Sequence, residues 1–160
     1  MNERIINILL DSKRNYNAYY LKELKNIESY FKLKEIDITK LGNIIKDINN
    51  KASIKIIDTN HNIYYEYNSN DELDKIGNTV IKCKRSSIYP LIMYSIGFMD
   101  ITYFEEEDIL PICGGMPIYI NNELKYIIEV NNSDDNMNII IEALSKYLNI
   151  EIPKFTGQTF

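Results

Sequence analysis

The 160-residue sequence has no tryptophan, two cysteines, one histidine, four prolines and six glycines. Cys83 and Cys113 stand in unrelated surroundings, so they make no disulfide framework, and no CxxC or Cys/His cluster offers a zinc site. His61, the single histidine, leaves a Ser/His/Asp triad or a multi-histidine metal centre without its partners. No stretch approaches the ~20 apolar residues that a membrane-spanning helix requires. Internal repeats and low-complexity linkers are also missing, and the length suits one domain of ordinary size.

Positive charge is the scarcer sign. The chain has 18 Lys and Arg against 23 Asp and Glu, a net charge of −5 and a pI near 5.0. An acidic surface repels phosphate backbones, so nucleic acid is not an expected partner. The run Lys82, Lys84, Arg85 is the best local basic patch, read either as a functional patch or as a solvated helix face. The N-terminal segment, Met1 to Leu10, has too short an apolar run for a signal peptide and carries Glu3 early. With no disulfide framework, a reducing cytoplasm and no membrane partner are expected. What the chain does have is 45% hydrophobic residues, enough to bury a core without disulfides or metal, and 13 tyrosines. Ile, Asn, Lys and Tyr are used heavily, the bias of an AT-rich genome, so single Asn or Lys residues carry little weight.

Hydrophobic spacing predicts helices over the first thirty residues, from Ile5, Ile6, Leu9 and Leu10 and from Tyr20, Leu21, Leu24 and Ile27, with a break at Asp11-Ser12. Residues 29–36 alternate and read as a short strand or an extended arm. Asp37 reads as the N-cap of an amphipathic helix carrying Ile38, Leu41, Ile44, Ile45 and Ile48. Strands over Ser53–Asp58 and Ile63–Tyr67 flank a polar turn. Residues 71–84 are helical, and Ser86-Ser87 opens a further helix that has Pro90 in its first turn and runs to about Met99. After the acidic cluster Glu105–Asp108 and a loop over 109–117, Ile118–Ile120 and Leu124–Val130 form a second hairpin. A helix over Ile139–Leu148, capped by Ser133 or Asp134, closes the chain, and residues 151–160 look like a tail. This order predicts an α+β layout, an antiparallel sheet with helices packed on it.

Several of these segments bear a family likeness. They are the hairpin from Ile54-Lys55-Ile56-Ile57-Asp58 to Tyr67, the loop Gly114-Gly115-Met116-Pro117-Ile118 leading into a strand, and the final helix with Glu142-Ala143-Leu144. Together they resemble the GlcG/HbpS-like, or haem-degrading, family over roughly residues 30–155. Leu41-Gly42, Ser86-Ser87 and Tyr147-Leu148 are similar to an uncharacterised cytoplasmic branch of it. The resemblance implies a profilin-like antiparallel sheet flanked by helices, here with an N-terminal helical extension over 1–30, the family domain over 31–155 and a tail over 156–160. It implies homo-oligomers, and it implies haem as a cofactor for some members, glycolate or diol metabolism as the setting of others, and no known activity for many. The sequence departs from the family where Val-Ser-Gly becomes Val130-Asn131-Asn132 and where the last helix starts without an Asp-His.

Gly114-Gly115 reads as an anion-holding cradle of exposed N–H groups or as a tight turn feeding a strand. Cys113 beside it reads as a reactive or haem-ligating thiol or as a buried one. Arg85-Ser86-Ser87 reads as an anion site at a helix N-terminus or as ordinary capping. His61 sits in a polar turn, and the run Glu105–Asp108 lacks the spacing of a calcium loop. Tyr64, Tyr65, Tyr67, Tyr119 and Tyr126 dress the sheet or a subunit interface. These readings define a self-associating small-ligand-binding or assembly module with eroded site motifs and a possible small anionic ligand at Arg85, Ser86, Ser87, Cys113, Gly114 and Gly115. The second reading is a haem-binding or haem-degrading protein, with Cys113, His61 or a tyrosine as ligand. No nucleophile–base pair can be named, so catalysis is left open.

Overall fold

Helices in this chain begin where a short polar side chain can accept an otherwise unpaired backbone N–H. In the computed structural model, which describes residues 1–157, Asn2 caps α1 (Glu3–Asn15) and Asn17 caps α2 (Ala18–Ser29). The break between them falls at Tyr16-Asn17, not at Asp11-Ser12. Ser12 is buried inside α1, where its hydroxyl donates to the Leu9 carbonyl and so does not disturb the helix. β1 (Lys32–Leu33) follows, and then α3 (Ile38–Ile48), which is capped by Asp37 as expected.

β2 (Ser53–Ile57) and β3 (Ile63–Tyr67) form the first hairpin, with a turn in which Asp58 accepts from the backbone of Asn60 and Asn62. α4 (Asp71–Cys83) starts on Asn70, and α5 (Tyr89–Ser95) has Pro90 in its first turn. α5 does not reach Met99. Gly97 takes φ 87°, a left-handed conformation that stops the helix, and a short 3₁₀ turn over Ile101–Glu105 follows. β4 (Gly115–Ile120) and β5 (Glu123–Asn131) form the second hairpin, and α6 (Asn136–Leu148) closes the fold. The cap of α6 is Asp135, because that carboxylate, one residue beyond the expected pair, reaches the Asn138 N–H.

The five strands lie in the order β1-β4-β5-β2-β3. The four long strands are antiparallel, as expected. β1 adds a two-residue parallel edge, because the Phe31 and Leu33 carbonyls accept from Tyr119 and Asn121. Alternation along the strands gives the sheet two different faces. Ile54, Ile56, Ile128, Val130 and Met116 point to one face, beneath α3 and α6, and belong to the main core. Ser53, Lys55, Glu129, Asn131 and Gly115 point to the other, which α4 covers.

α1, α2 and α5 pack into the same core through Ile5, Leu9, Leu24, Ile27, Leu91 and Ile92, so the expected N-terminal extension shares the interior of the sheet domain. The segment after α6 is extended and anchored. Ile152 and Phe155 are buried, and Thr156 donates to Glu23 of α2. Residues 158–160 of the expected tail lie outside the described residues. Among the described residues no helix is long and apolar enough to cross a membrane.

The Leu41-Gly42 pair has a packing role. A Cβ on Gly42 would stand 2.4 Å from the Tyr65 ring, so α3 can lie this close to β3 only with a glycine there. Gly42→Ala is expected to destabilise the fold by about 1–3 kcal/mol through overpacking. In a Tyr65→Ala background the same change is expected to stabilise by up to about 1 kcal/mol, the helix preference of alanine over glycine. Urea unfolding of the four proteins checks the reversal of sign.

Candidate functional site

The turn after α4 and the start of β4 are joined by a small buried lattice of hydrogen bonds. Ser86 Oγ donates to the Gly115 carbonyl at 2.8 Å, and the Ser87 N–H donates to the same oxygen at 3.0 Å. Ser87 Oγ accepts from the Gly115 N–H at 2.8 Å and donates to the Ile112 carbonyl. On the far side the Gly114 carbonyl accepts from the Val130 N–H at 2.8 Å. Gly114 has φ 131°, and a Cβ there would meet the Val130 carbonyl at 2.2 Å, so this position requires glycine. Ser86, Ser87, Gly114 and Gly115 are all buried.

This clasp holds the preceding residues over β4. Lys84 ends α4 in a left-handed conformation, and Arg85 turns toward α2. Arg85 Nε donates to Glu28 Oε1 at 2.7 Å, Arg85 Nη2 lies 2.6 Å from the same oxygen, and Glu28 Oε2 accepts from the Ser86 N–H at 2.8 Å. Burial works against the Arg85 charge, but the Glu28 carboxylate outweighs it and holds the guanidinium above its ordinary pKa. The guanidinium also lies over the Tyr89 ring, 4.2 Å from its centroid.

Alongside this pair runs a cavity of about 310 Å³. Its walls are Lys25 and Glu28 of α2, Lys32 of β1, Lys84 and Arg85, the β4 residues Pro117 and Tyr119, and Asn122 of the hairpin turn. Four cationic side chains therefore face one carboxylate, and that carboxylate is occupied by Arg85 and Ser86. Pro117 and the Tyr119 ring give the groove an apolar wall. The Tyr119 hydroxyl donates to the Lys84 carbonyl at 2.7 Å, and burial, with Glu28 nearby, raises its pKa. The groove suits an anion joined to an apolar body.

The molecule shares its fold with solved structures. It superposes on the crystal structure of the Ybr137w protein with a TM-score of 0.64 at 14% identity, over 81% of this chain and 87% of that one. It superposes on HbpS with a TM-score of 0.55 at 14% identity, over 69% and 85% of the two chains. A double mutant of HbpS from Streptomyces reticuli gives a TM-score of 0.55 at 17% identity, over 69% and 82%. The fold is HbpS-like. Identities this low establish the fold alone. No protein-family model matches the sequence, and no curated protein does.

Within this HbpS-like fold the expected site residues come together, but their roles differ. Ser86, Ser87 and Gly115 are committed to one another in the clasp, and Gly114 is bonded to Val130 beside it. The Ser pair does not cap α5 through its side chains, since Ile88 holds the cap position. Arg85 alone of the six lines the groove. Cys113 is fully buried, and beside it the Tyr16 phenol is pushed up by burial and by the thiol. Cys83 is pushed up to about 11 by burial, which works against a reactive thiolate. His61 lies on an exposed turn and lines a different cleft, with Lys55 and Asp74.

Three of the haem-ligand candidates give the groove no ready ligand. Cys113 is sealed, His61 stands apart from the groove, and Tyr119 is held as a hydrogen-bonded phenol. The Asn131-Asn132 departure closes a loop, with Asn131 donating to Glu72 and Asn132 to Ser53.

Lys25, Glu28, Lys32 and Asn122 carry no sequence signal of their own, because their partners lie on distant elements. Of the basic run, Lys82 leaves the groove to pair with Glu106 at 2.9 Å, whereas Lys84 and Arg85 stay in it.

Removing the Ser87 hydroxyl strands the buried Gly115 N–H and Ile112 carbonyl. Ser87→Ala is expected to cost about 2–4 kcal/mol, since each buried polar group left unpaired costs about 1–3 kcal/mol. Guanidinium unfolding checks this, and a loss below 1 kcal/mol would show that the clasp is dispensable.

Proposed function

We propose that this chain is a GlcG/HbpS-like binding and assembly module, and that its ligand is a small molecule with an anionic head and an apolar body, held along β4. The observation that carries this reading is the convergence of Lys25, Lys32, Lys84 and Arg85 on one cavity, in a chain whose net charge is −5. Clustered cations create a local positive potential that attracts an anion. Glu28 offsets part of that potential but is already occupied. The single hydroxyl in the lining, Tyr119, is bound to a carbonyl, so it serves as part of the wall.

Self-association belongs to the same reading. β3 is an edge strand, and Ile63 and Tyr64 on it are 53% and 49% exposed. Uncovered edges of this kind readily pair with a second chain. The cytoplasm remains the compartment that suits two cysteines joined in no disulfide.

Calorimetry with benzoate, a medium-chain fatty acid and inorganic phosphate tests the groove. The two carboxylates are expected to bind more tightly than phosphate, with affinity falling as salt rises. The double change Lys25→Glu, Lys84→Glu is expected to weaken binding at least about tenfold, which is ~1.4 kcal/mol. Unchanged affinity in that variant, or no binding by any of the three, removes the groove from consideration. A haem titration run in parallel separates the readings: a sharp Soret band lost in Tyr119→Phe would replace the proposal with a haem site. Light scattering across micromolar concentrations tests assembly, and a monomer throughout would remove that half.

A further inference from the structure

On the face of the sheet beneath α4, register places Gly115, Glu129, Lys55 and Glu66 in one row across β4, β5, β2 and β3. Glu129 is fully buried, and among the described residues neither of its carboxyl oxygens has a hydrogen-bond partner. Its side chain rises into α4 at Gly77, where a Cβ would stand 1.6 Å from Oε2. The helix thus gives up a side chain to seat this carboxyl. Its cross-strand neighbour Lys55 is engaged elsewhere. Lys55 Nζ lies 2.8 Å from Asp74 Oδ1 on α4 and 3.9 Å from Glu66 Oε2 on β3.

We propose that Glu129 is a proton-binding site that holds α4 against the sheet in its neutral form, and that losing the proton draws Lys55 from Asp74 toward Glu129 and loosens α4. An ionised carboxylate with no donor around it is strongly disfavoured, so a proton stays on the group until a countercharge or water reaches it. The ammonium beside it is that of Lys55. The other charged groups near it are Asp74 from α4 and, through Lys55, Glu66 from β3. β4 contributes the uncharged Gly115, and the neighbouring α4 residues Ile76, Gly77 and Val80 carry no charge.

Lys55 therefore has two sets of acceptors, an outer pair already engaged and an inner carboxyl that competes only when ionised. Moving the ammonium inward releases the Asp74 tether of α4 and reshapes the cleft lined by Lys55, Asp74, Asn78 and His61.

The carboxyl is pushed up to about 8, first by burial and against the pull of Lys55, from an ordinary value of 4.5. The unfolded chain thus loses this proton at lower pH than the folded one. The contribution to stability is complete below about pH 4.5, falls through the interval up to 8, and is constant above it. Over that interval the folding equilibrium constant of the wild type, taken relative to Glu129→Gln, is expected to fall about tenfold per pH unit. Asp74→Asn, which frees Lys55 and removes a repelling charge, is expected to move the midpoint to lower pH.

The experiment is urea unfolding from pH 4.5 to 9.5 on the wild type, Glu129→Gln and Asp74→Asn. It is accompanied by carboxyl carbon-13 shifts of Glu129 and by hydrogen exchange of α4 amides, corrected for intrinsic rates. A Glu129 midpoint above pH 7, with α4 protection lost across it in the wild type and retained in Glu129→Gln, supports the proposal. A midpoint below pH 6, parallel stability profiles for wild type and Glu129→Gln, or unchanged α4 protection overturns it. Should Glu129→Gln fail to fold, the carbon-13 midpoint and α4 exchange of the wild type decide alone.

Discussion

The arrangement turns on how closely the chain after α4 is bound to the start of β4. Two serine hydroxyls and one serine N–H meet both backbone groups of Gly115, so a turn and a strand entrance nearly thirty residues apart become one rigid unit. These bonds lie away from water, where an unmade partner is costly, and the register of β4 is fixed by them as well as by β5. Everything on the outer side of the groove follows from that placement. Arg85 leaves the clasp to pair with Glu28, and Lys84 lines the groove with Pro117 and Tyr119.

The two faces of the sheet divide the labour. The face beneath α3 and α6 is apolar and supplies most of the core. The face beneath α4 mixes a small apolar cluster of Ile57, Val80 and Ile127 with a polar row that includes a buried acid. Replacing a buried ion pair by well-packed apolar side chains is often neutral or stabilising, so this polar row is weak evidence of added stability. The basic groove at one edge of this face and the carboxyl at its centre are separate departures from a plain hydrophobic layer. Both depend on glycines that let backbone or side chains approach closely.

Much of the fold was legible in the chain because the relevant physics is local. Asp37 before an amphipathic run, Pro90 in a first turn, asparagine-rich turns between alternating segments and Gly114-Gly115 ahead of a strand all act over a few residues. The errors share a cause too. Ser12 reads as a breaker, yet it sits in α1 because a buried serine can satisfy itself on the preceding turn. α5 stops early at Gly97, a single residue whose backbone conformation is invisible to periodicity. The site was legible only in part. Arg85, singled out with its neighbours Ser86 and Ser87, lines the groove, whereas the anion cradle expected of those serines and glycines is consumed by the clasp. Lys25, Glu28 and Lys32 join the groove through contacts that span the chain, and no spacing rule reports them. Glu129 drew no notice in its strand, and the packing of α4 makes it a buried acid.

A crystal structure grown in the presence of an aromatic carboxylate tests the account most directly. The account predicts the carboxylate among Lys25, Lys32 and Lys84, with its ring against Pro117 and Tyr119 and the Ser86–Gly115 contacts unbroken. A ligand seated in the cleft beside Asp74, or a groove closed by its own side chains while the ligand binds elsewhere, would contradict it.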